Sequence, residues 1–179
     1  MASNQRAQIT MDEDEVRAFV EQQRTATIAT VGPTGVPHLV AMWYAVIDGQ
    51  IWFETKPKSQ KVANVRRDPK VSFLAEAGLT YNELRGVSIE GRARISDDAE
   101  ELWKVGVSVF ERYMGPYTDE MTPIVETMLH NRVAIAIDVE RVRTWDHRKL
   151  GLGDVPIGGT TAPPSASTPR TSPIADLRT

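Results

Sequence analysis

The sequence predicts a mainly β protein, an antiparallel barrel with appended helices, on three observations. The first is a pair of turn signals: "GPTG" at Gly32 to Gly35 and "DG" at Asp48 and Gly49 each join extended runs. The second is the number of those runs, six, rich in β-branched and aromatic residues. The third is that helical patterns enter late, as an insertion, instead of alternating with strands, which argues against a βαβ array.

In chain order, Thr10 followed by Glu13 reads as a capping box, and Val16, Phe19 and Val20 at i, i+3, i+4 spacing predict a helix from about Asp12 to Gln23. "TATIATV" (Thr25 to Val31) is the first strand and "VPHLVAMWYAVI" (Val36 to Ile47) the return strand. "QIWFET" follows the Asp48-Gly49 turn as the third. Ser59 can cap a short helix with Val62 and Val65 as its buried face, and Asp68-Pro69 ends it because a residue before proline resists helical geometry. "KVSFLAE" and "LRGVSIEGRARI" (Leu84 to Ile95) are the fourth and fifth strands. Ser96 with Asp97, Asp98, Glu100 and Glu101 opens a helix through about Tyr113, and another spans Asp119 to Asn131. "RVAIAIDV" (Arg132 to Val139) is the sixth strand, continuing irregularly through "ERVRTWDH".

Residues 1–150 therefore form one domain. Residues 151–179, rich in Gly, Pro, Ser and Thr with few large apolar groups, are expected to be a disordered tail. With 41% hydrophobic and 25% charged residues the chain reads as soluble, and no apolar run approaches the roughly 18 residues of a membrane span. The absence of cysteine and of a secretion signal predicts a cytoplasmic protein. A net charge of -3 argues against nucleic acid as a partner. His38, His130 and His147 lack metal-ligand spacing, so no metal is expected, and neither a dinucleotide nor a P-loop fingerprint occurs.

One segment runs against the acidic balance. Lys56, Lys58, Lys61, Arg66, Arg67 and Lys70 crowd "TKPKSQKVANVRRDPK" with one acid, Asp68. Lys56 and Lys58, two apart at a strand end, are expected to point the same way, with Lys61 on the first turn of the next helix and Asn64 one turn on. The helix N-terminus, Ser59 and the lysines form a phosphate cradle on this reading; a solvated lysine-rich corner is the alternative. In "HLVAMWYAV" both strand faces are apolar, so each needs a cover: the chain's own helices, a partner subunit or a flat ligand.

The run "RTATIATVGPTGVPHLVAMWYAVIDGQIWFETKPKSQKVANVRRDPKVSFLAE" followed by "RGVSIEGRARI" resembles the pyridoxamine 5'-phosphate oxidase-like split-barrel flavoproteins, and within them the actinobacterial branch that uses the deazaflavin coenzyme F420. The resemblance spans about Glu15 to Trp145. It implies a six-stranded antiparallel split β-barrel forming a homodimer, with cofactor in grooves between the subunits. By position, Thr55, Lys56, Lys58, Ser59, Lys61 and Asn64 match the segment that holds the cofactor's phosphate. Pro37, His38, Val40, Ala41, Met42 and Trp43 match the strand along which the ring lies. Trp145, and more loosely His147 and Arg148, match the end that approaches the partner's cofactor. The arginine motif that holds substrate in pyridoxamine phosphate oxidases is not recognisable in "VRTWDHRKLGLGD", which speaks against vitamin B6 oxidation, and the insertion from about Asp97 to Asn131 is the least shared part.

The implied function is F420-dependent hydride transfer to an unsaturated or electron-poor small-molecule substrate. The alternatives are an FMN-dependent oxidoreductase of the same fold and a non-enzymatic cofactor-binding protein. His38, Tyr44 and Tyr81 are candidates for proton donation or substrate orientation, and no residue is assigned as catalytic. Lys58 and Lys61 are expected to face solvent.

Overall fold

The computed structural model describes residues 5–153; residues 154–179, with nearly all of the expected tail, lie outside the described residues. Seven strands form one antiparallel sheet: β1 (Ala26–Val31), β2 (Pro37–Met42), β3 (Ala45–Ile47), β4 (Gln50–Thr55), β5 (Lys70–Ala77), β6 (Arg85–Ser96) and β7 (Val133–Asp146). Its order is β2-β1-β5-β6-β7-β4-β3. Five helices accompany it: α1 (Gln5–Gln8), α2 (Glu13–Gln22), α3 (Gln60–Arg67), α4 (Ala99–Tyr113) and α5 (Thr122–Leu129). Short 3-10 turns cover Asp119–Met121 and His147–Leu150.

Seven strands replace the expected six because the long return strand breaks at Trp43-Tyr44. Tyr44 is fully buried, and its hydroxyl donates to the carbonyls of Val20 (2.5 Å) and Gln23 (3.0 Å) at the end of α2. The Tyr44 N–H donates to the Tyr113 hydroxyl (3.0 Å), which in turn donates to the Tyr44 carbonyl (3.2 Å). A side chain from α4 thus takes the backbone groups that a ladder would otherwise use. The piece before the break pairs with β1 and the piece after it with β4. The sheet consequently curls into a half-barrel whose two edges meet at the break.

Both expected turns form. Asp48 and Gly49 adopt φ of 50° and 77°, as a two-residue hairpin requires, and Gly32 N–H donates to Val36 O (2.9 Å) to close the other. The capping box shifts by two residues: Asp12 accepts from Glu15 N–H, and the Glu15 carboxylate accepts from Asp12 N–H. Thr10 instead donates its hydroxyl to Arg6 O. At α4 the cap is Asp98, accepting from Glu101 N–H (2.9 Å), where Ser96 was expected to open the helix.

Inside the curl, Ile28, Phe53, Phe73, Val87, Ile135 and Ile137 pack with Phe19 and Val20 of α2 and with Val62 and Val65 of α3, so α3 plugs one end. On the outer side, Val105 and Val109 of α4 cover Ala45, Trp52, Ala134 and Ala136. Gly106 lets α5 approach closely, since a Cβ there would lie 2.5 Å from Leu129. Among the described residues the outer faces of β2, β1 and β5 lack such a helix, and Val36, Leu39 and Trp43 are at least half exposed.

Truncating the buried ring by Tyr44→Ala is expected to cost about 3–5 kcal/mol in urea unfolding, while Leu79→Ala, on an exposed loop, changes stability by no more than about 0.5 kcal/mol. Burial pushes the Tyr44 phenol up to about 12, only partly offset by the Arg112 cation over its ring. An unfolded tyrosine ionises near pH ~10. The native state thus holds a proton that the unfolded state has lost, and this contribution is intact below about pH 10 and disappears as pH rises through about 12. Unfolding measured across that window should show the slope in the wild type and its reduction in Tyr44→Phe.

Candidate functional site

β4 ends at Thr55, and Lys56-Pro57-Lys58 forms a turn in which Ser59 N–H donates to Lys56 O (3.0 Å). Lys56 and Lys58 therefore do not share a strand face as expected; proline removes a ladder donor and the chain turns, leaving both lysines exposed. Ser59 occupies the N-cap of α3, but its side chain makes no capping hydrogen bond. The first-turn N–H groups of α3 have no intrahelical acceptor, and the positive end of the helix dipole lies at this turn, next in the chain to exposed Lys58. That is the chemistry of an anion site.

Lys61 departs from expectation. It is only 9% exposed and donates to the Thr55 hydroxyl (2.9 Å), which itself donates to the Ser59 hydroxyl (3.4 Å). Burial lowers its pKa, and the Glu54 carboxylate beside it raises it in part. The physical reason is that a lysine at the first turn of a helix lying against a strand end can fold its stem inward when a hydroxyl there receives the ammonium.

Asn64 is fully buried. Its amide donates to the Thr30 hydroxyl (3.0 Å) and its carbonyl accepts from Gln60 (2.8 Å) and Arg67 (3.4 Å). Thr30 pairs with His38 across the β1–β2 ladder, and Arg67 also donates to Val31 O. Side-chain hydrogen bonds therefore tie α3 to Thr30 on β1, whose register partner His38 lies on β2. Thr30, Gln60 and Arg67 were not singled out from sequence; the inward register of Thr30 with Ala26 and Ile28 was the available signal.

β2 terminates the sheet, so one side of its backbone is unpaired among the described residues. Val40 and Met42 pack on the core, and by alternation His38 shares that side, while Pro37, Leu39 and Ala41 are exposed. His38 Nδ1 is buried without a hydrogen-bond partner among the described residues. Trp43 stacks on Tyr113 with ring centroids 4.4 Å apart and planes within 5°.

Of the other candidates for proton donation, Tyr44 is committed to the α2 carbonyls and removed from solvent, whereas Tyr81 is exposed, its ring 4.4 Å from that of His147. Trp145 pairs with Gly86, where a Cβ would collide with the indole at 2.2 Å. His147 Nδ1 bonds to Tyr81 O (2.8 Å), and Arg148 grips Asp146 through Nε and Nη2. Thr55 pairs with Val133 at the opposite end of β7, twelve residues from Trp145 and about 40 Å along the strand. Within one chain, Trp145 and the α3 corner are not brought together.

The pyridoxamine 5'-phosphate oxidase family model matches residues 12–146. Among solved structures, the conserved hypothetical protein Rv2991 from Mycobacterium tuberculosis is 60% identical, covers 88% of this chain and 98% of its own, and superposes with a TM-score of 0.85. An F420 reductase shares the fold at 24% identity and a TM-score of 0.56, over 70% of this chain and 94% of its own. So does HutZ, the heme storage protein from Vibrio cholerae, at 16% identity and a TM-score of 0.60, over 74% of this chain and 94% of its own. No curated protein matches the chain. Its half-barrel fold and the match across residues 12–146 place it in one family: the chain belongs to the pyridoxamine 5'-phosphate oxidase family.

Proposed function

We propose that the protein is a coenzyme F420-dependent oxidoreductase that reduces an unsaturated or electron-poor small molecule. The observation that carries the reading is an uncapped helix N-terminus, with Lys58 beside it, on a helix that Asn64 ties to Thr30 of β1, next to the unpaired edge of β2 and its partnerless His38 nitrogen. A flat ring on a phosphate-bearing arm asks for that pairing of sites.

On this reading Lys58, Ser59 and the first-turn N–H groups of α3 hold the phosphate, Lys56 adds charge, and Thr55 and Lys61 set the corner behind them. Asn64 acts by position, bracing α3 against β1. The backbone edge of β2 between Pro37 and Trp43 takes the ring's donors and acceptors, with Ala41 on the exposed face supplying apolar contact and Val40 and Met42 packed on the core behind it. When bound, the reduced deazaflavin supplies the hydride. The chain's part is to fix the ring, present the acceptor beside it and exclude water; His38 can hold or orient a proton at Nδ1.

Micromolar affinity needs roughly 8 kcal/mol, and charge-assisted contacts of about 1.5–3 kcal/mol each must also offset an association cost of about 4–15 kcal/mol. The anion corner alone therefore falls short, and burial of the ring must supply the remainder. A second copy of the chain packed on the open outer face of β2, β1 and β5 would bury the ring and bring another Trp145 toward it, so the proposal includes a homodimer. No described helix is long and apolar enough to cross a membrane, and a cytoplasmic location is part of the proposal.

The test is a fluorescence titration of cofactor-free protein with the deazaflavin and FMN in parallel, for the wild type and Lys58→Ala. Lys58 is exposed, so its removal leaves the fold intact, which Lys61→Ala would not. Preferential deazaflavin binding, weakened about tenfold or more in Lys58→Ala, is the expected outcome. Preference for FMN moves the protein to the FMN-dependent alternative, binding without turnover of any acceptor makes it a cofactor-binding protein, and unchanged affinity in the variant sinks the phosphate assignment.

A further inference from the structure

A cleft of about 390 Å³ opens where α2 meets the start of β6 and the end of β7, at the end of β7 far from Thr55 and the α3 corner. Its charged lining comes from three segments: Glu15 of α2, Arg85 of β6, and Asp146 with Arg148 where β7 ends. Arg85 and Asp146 are ladder partners, so their side chains stand on one face of the sheet, the usual setting for an opposite-charge pair. They do not pair. Arg148 takes both Asp146 oxygens, with Nε at 2.9 and 3.2 Å and Nη2 at 2.5 Å, and its backbone N–H donates to Oδ1 (3.0 Å). That hydrogen bonding is the main cause that holds the Asp146 carboxyl below the usual carboxylate range; Arg85 contributes to it only through space. Glu15 is committed as well, to the Asp12 N–H and to Lys149. The half-buried Arg85 guanidinium is left over the Phe19 ring, 5.1 Å from its centroid, with no hydrogen bond or ion pair among the described residues.

We propose that this cleft is a second small-molecule site, which binds an organic monocarboxylate through the Arg85 guanidinium. The guanidinium fork matches a carboxylate with two parallel N–H donors, and stacking on Phe19 steadies the fork without using those donors. The charge balance sets the charge of the ligand. Arg148 neutralises Asp146 and Lys149 neutralises Glu15, so one positive charge, that of Arg85, is left without a counter-ion. A monoanion completes the balance, whereas a dianion such as phosphate meets two carboxylates at close quarters. The walls set the rest of the ligand: Met11, Ala18 and Phe19 supply apolar surface, and the volume suits a small molecule. The site is separate from the one proposed for the cofactor. Trp145, one residue before Asp146, faces the other side of β7 by alternation, and the α3 corner lies beyond the far end of that strand.

The test is a calorimetric titration of the full-length, cofactor-free protein with acetate, isobutyrate and benzoate, with benzamide and inorganic phosphate as controls. Saturable binding of at least one carboxylate is expected, weakened about tenfold or more in Arg85→Gln. Arg85→Lys keeps the stem and the charge but loses the fork, and is expected to weaken binding by a smaller factor. Thermal melting confirms that both variants fold. An anion also has the α3 corner to bind, so Lys58→Ala is titrated alongside and is expected to bind the carboxylate as the wild type does. Phenylglyoxal labelling of the wild type, read by mass spectrometry, needs no variant: the bound carboxylate is expected to protect Arg85 and to leave exposed Arg66 of α3 reactive. Any one of four results overturns the proposal: no binding of any of the three carboxylates, benzamide binding as well as benzoate, unchanged affinity in Arg85→Gln, or loss of binding in Lys58→Ala. Protection of Arg85 by phosphate in preference to the carboxylates overturns it too.

Discussion

The rest of the structure depends on the anchoring of Tyr44. Its phenol and the Arg112 guanidinium together satisfy the carbonyls of Val20 and Gln23 at the end of α2, which have no intrahelical donor. Burying the ring contributes about 1.5–3 kcal/mol, and each hydrogen bond about 1 kcal/mol net. That suffices to outweigh the ladder bonds lost where the strand breaks. Without the break, residues 37–47 would run on as one strand; with it, they supply both edges of the sheet, and the half-barrel, the free edge of β2 and the outward turn of Trp43 follow together.

The break also explains what could be read from the sequence. Turn chemistry is local, so the Gly32–Gly35 and Asp48-Gly49 hairpins were legible, and with them the antiparallel class and most strand positions. The break was not, because the partners of Tyr44 come from α2 and from Tyr113, 69 residues away, while "HLVAMWYAV" has no breaker of its own. The capping box failed for a related reason. Thr10-Glu13 and Asp12-Glu15 both have the required spacing, and the choice was made at long range: Met11 N–H donates to Thr144 and Asp146 N–H to Ile9 O, holding residues 9–11 against β7 so that the helix starts only after Asp12.

The site shows the same division. The basic run, Ser59 at the start of a helix and the proline stop at Asp68-Pro69 were visible as pattern, and α3 forms where they put it. The direction of each charge was not visible. Lys58 and Lys61 look equivalent in sequence, yet one is exposed and the other folds back on Thr55, because only Lys61 reaches the hydroxyl at the end of β4. Whether a lysine faces solvent depends on what the neighbouring strand end offers it, and that is a tertiary fact.

The same geometry limits what one chain can do. α4 and α5 cover the outer side of the sheet over β3, β4 and the first half of β7, and among the described residues no helix covers the outer side of β2, β1 and β5. Leu39 and Ala41 face that open side, so a ring lying along β2 in a lone subunit would touch protein on one face and water on the other. Water there weakens the hydrogen bonds to the ring and the charge behind them, since both gain strength from low dielectric. Trp145 is an apolar surface of suitable size, but β7 holds it at the far end from Thr55. If one ligand is to meet both the α3 corner and a Trp145, the two must come from different chains.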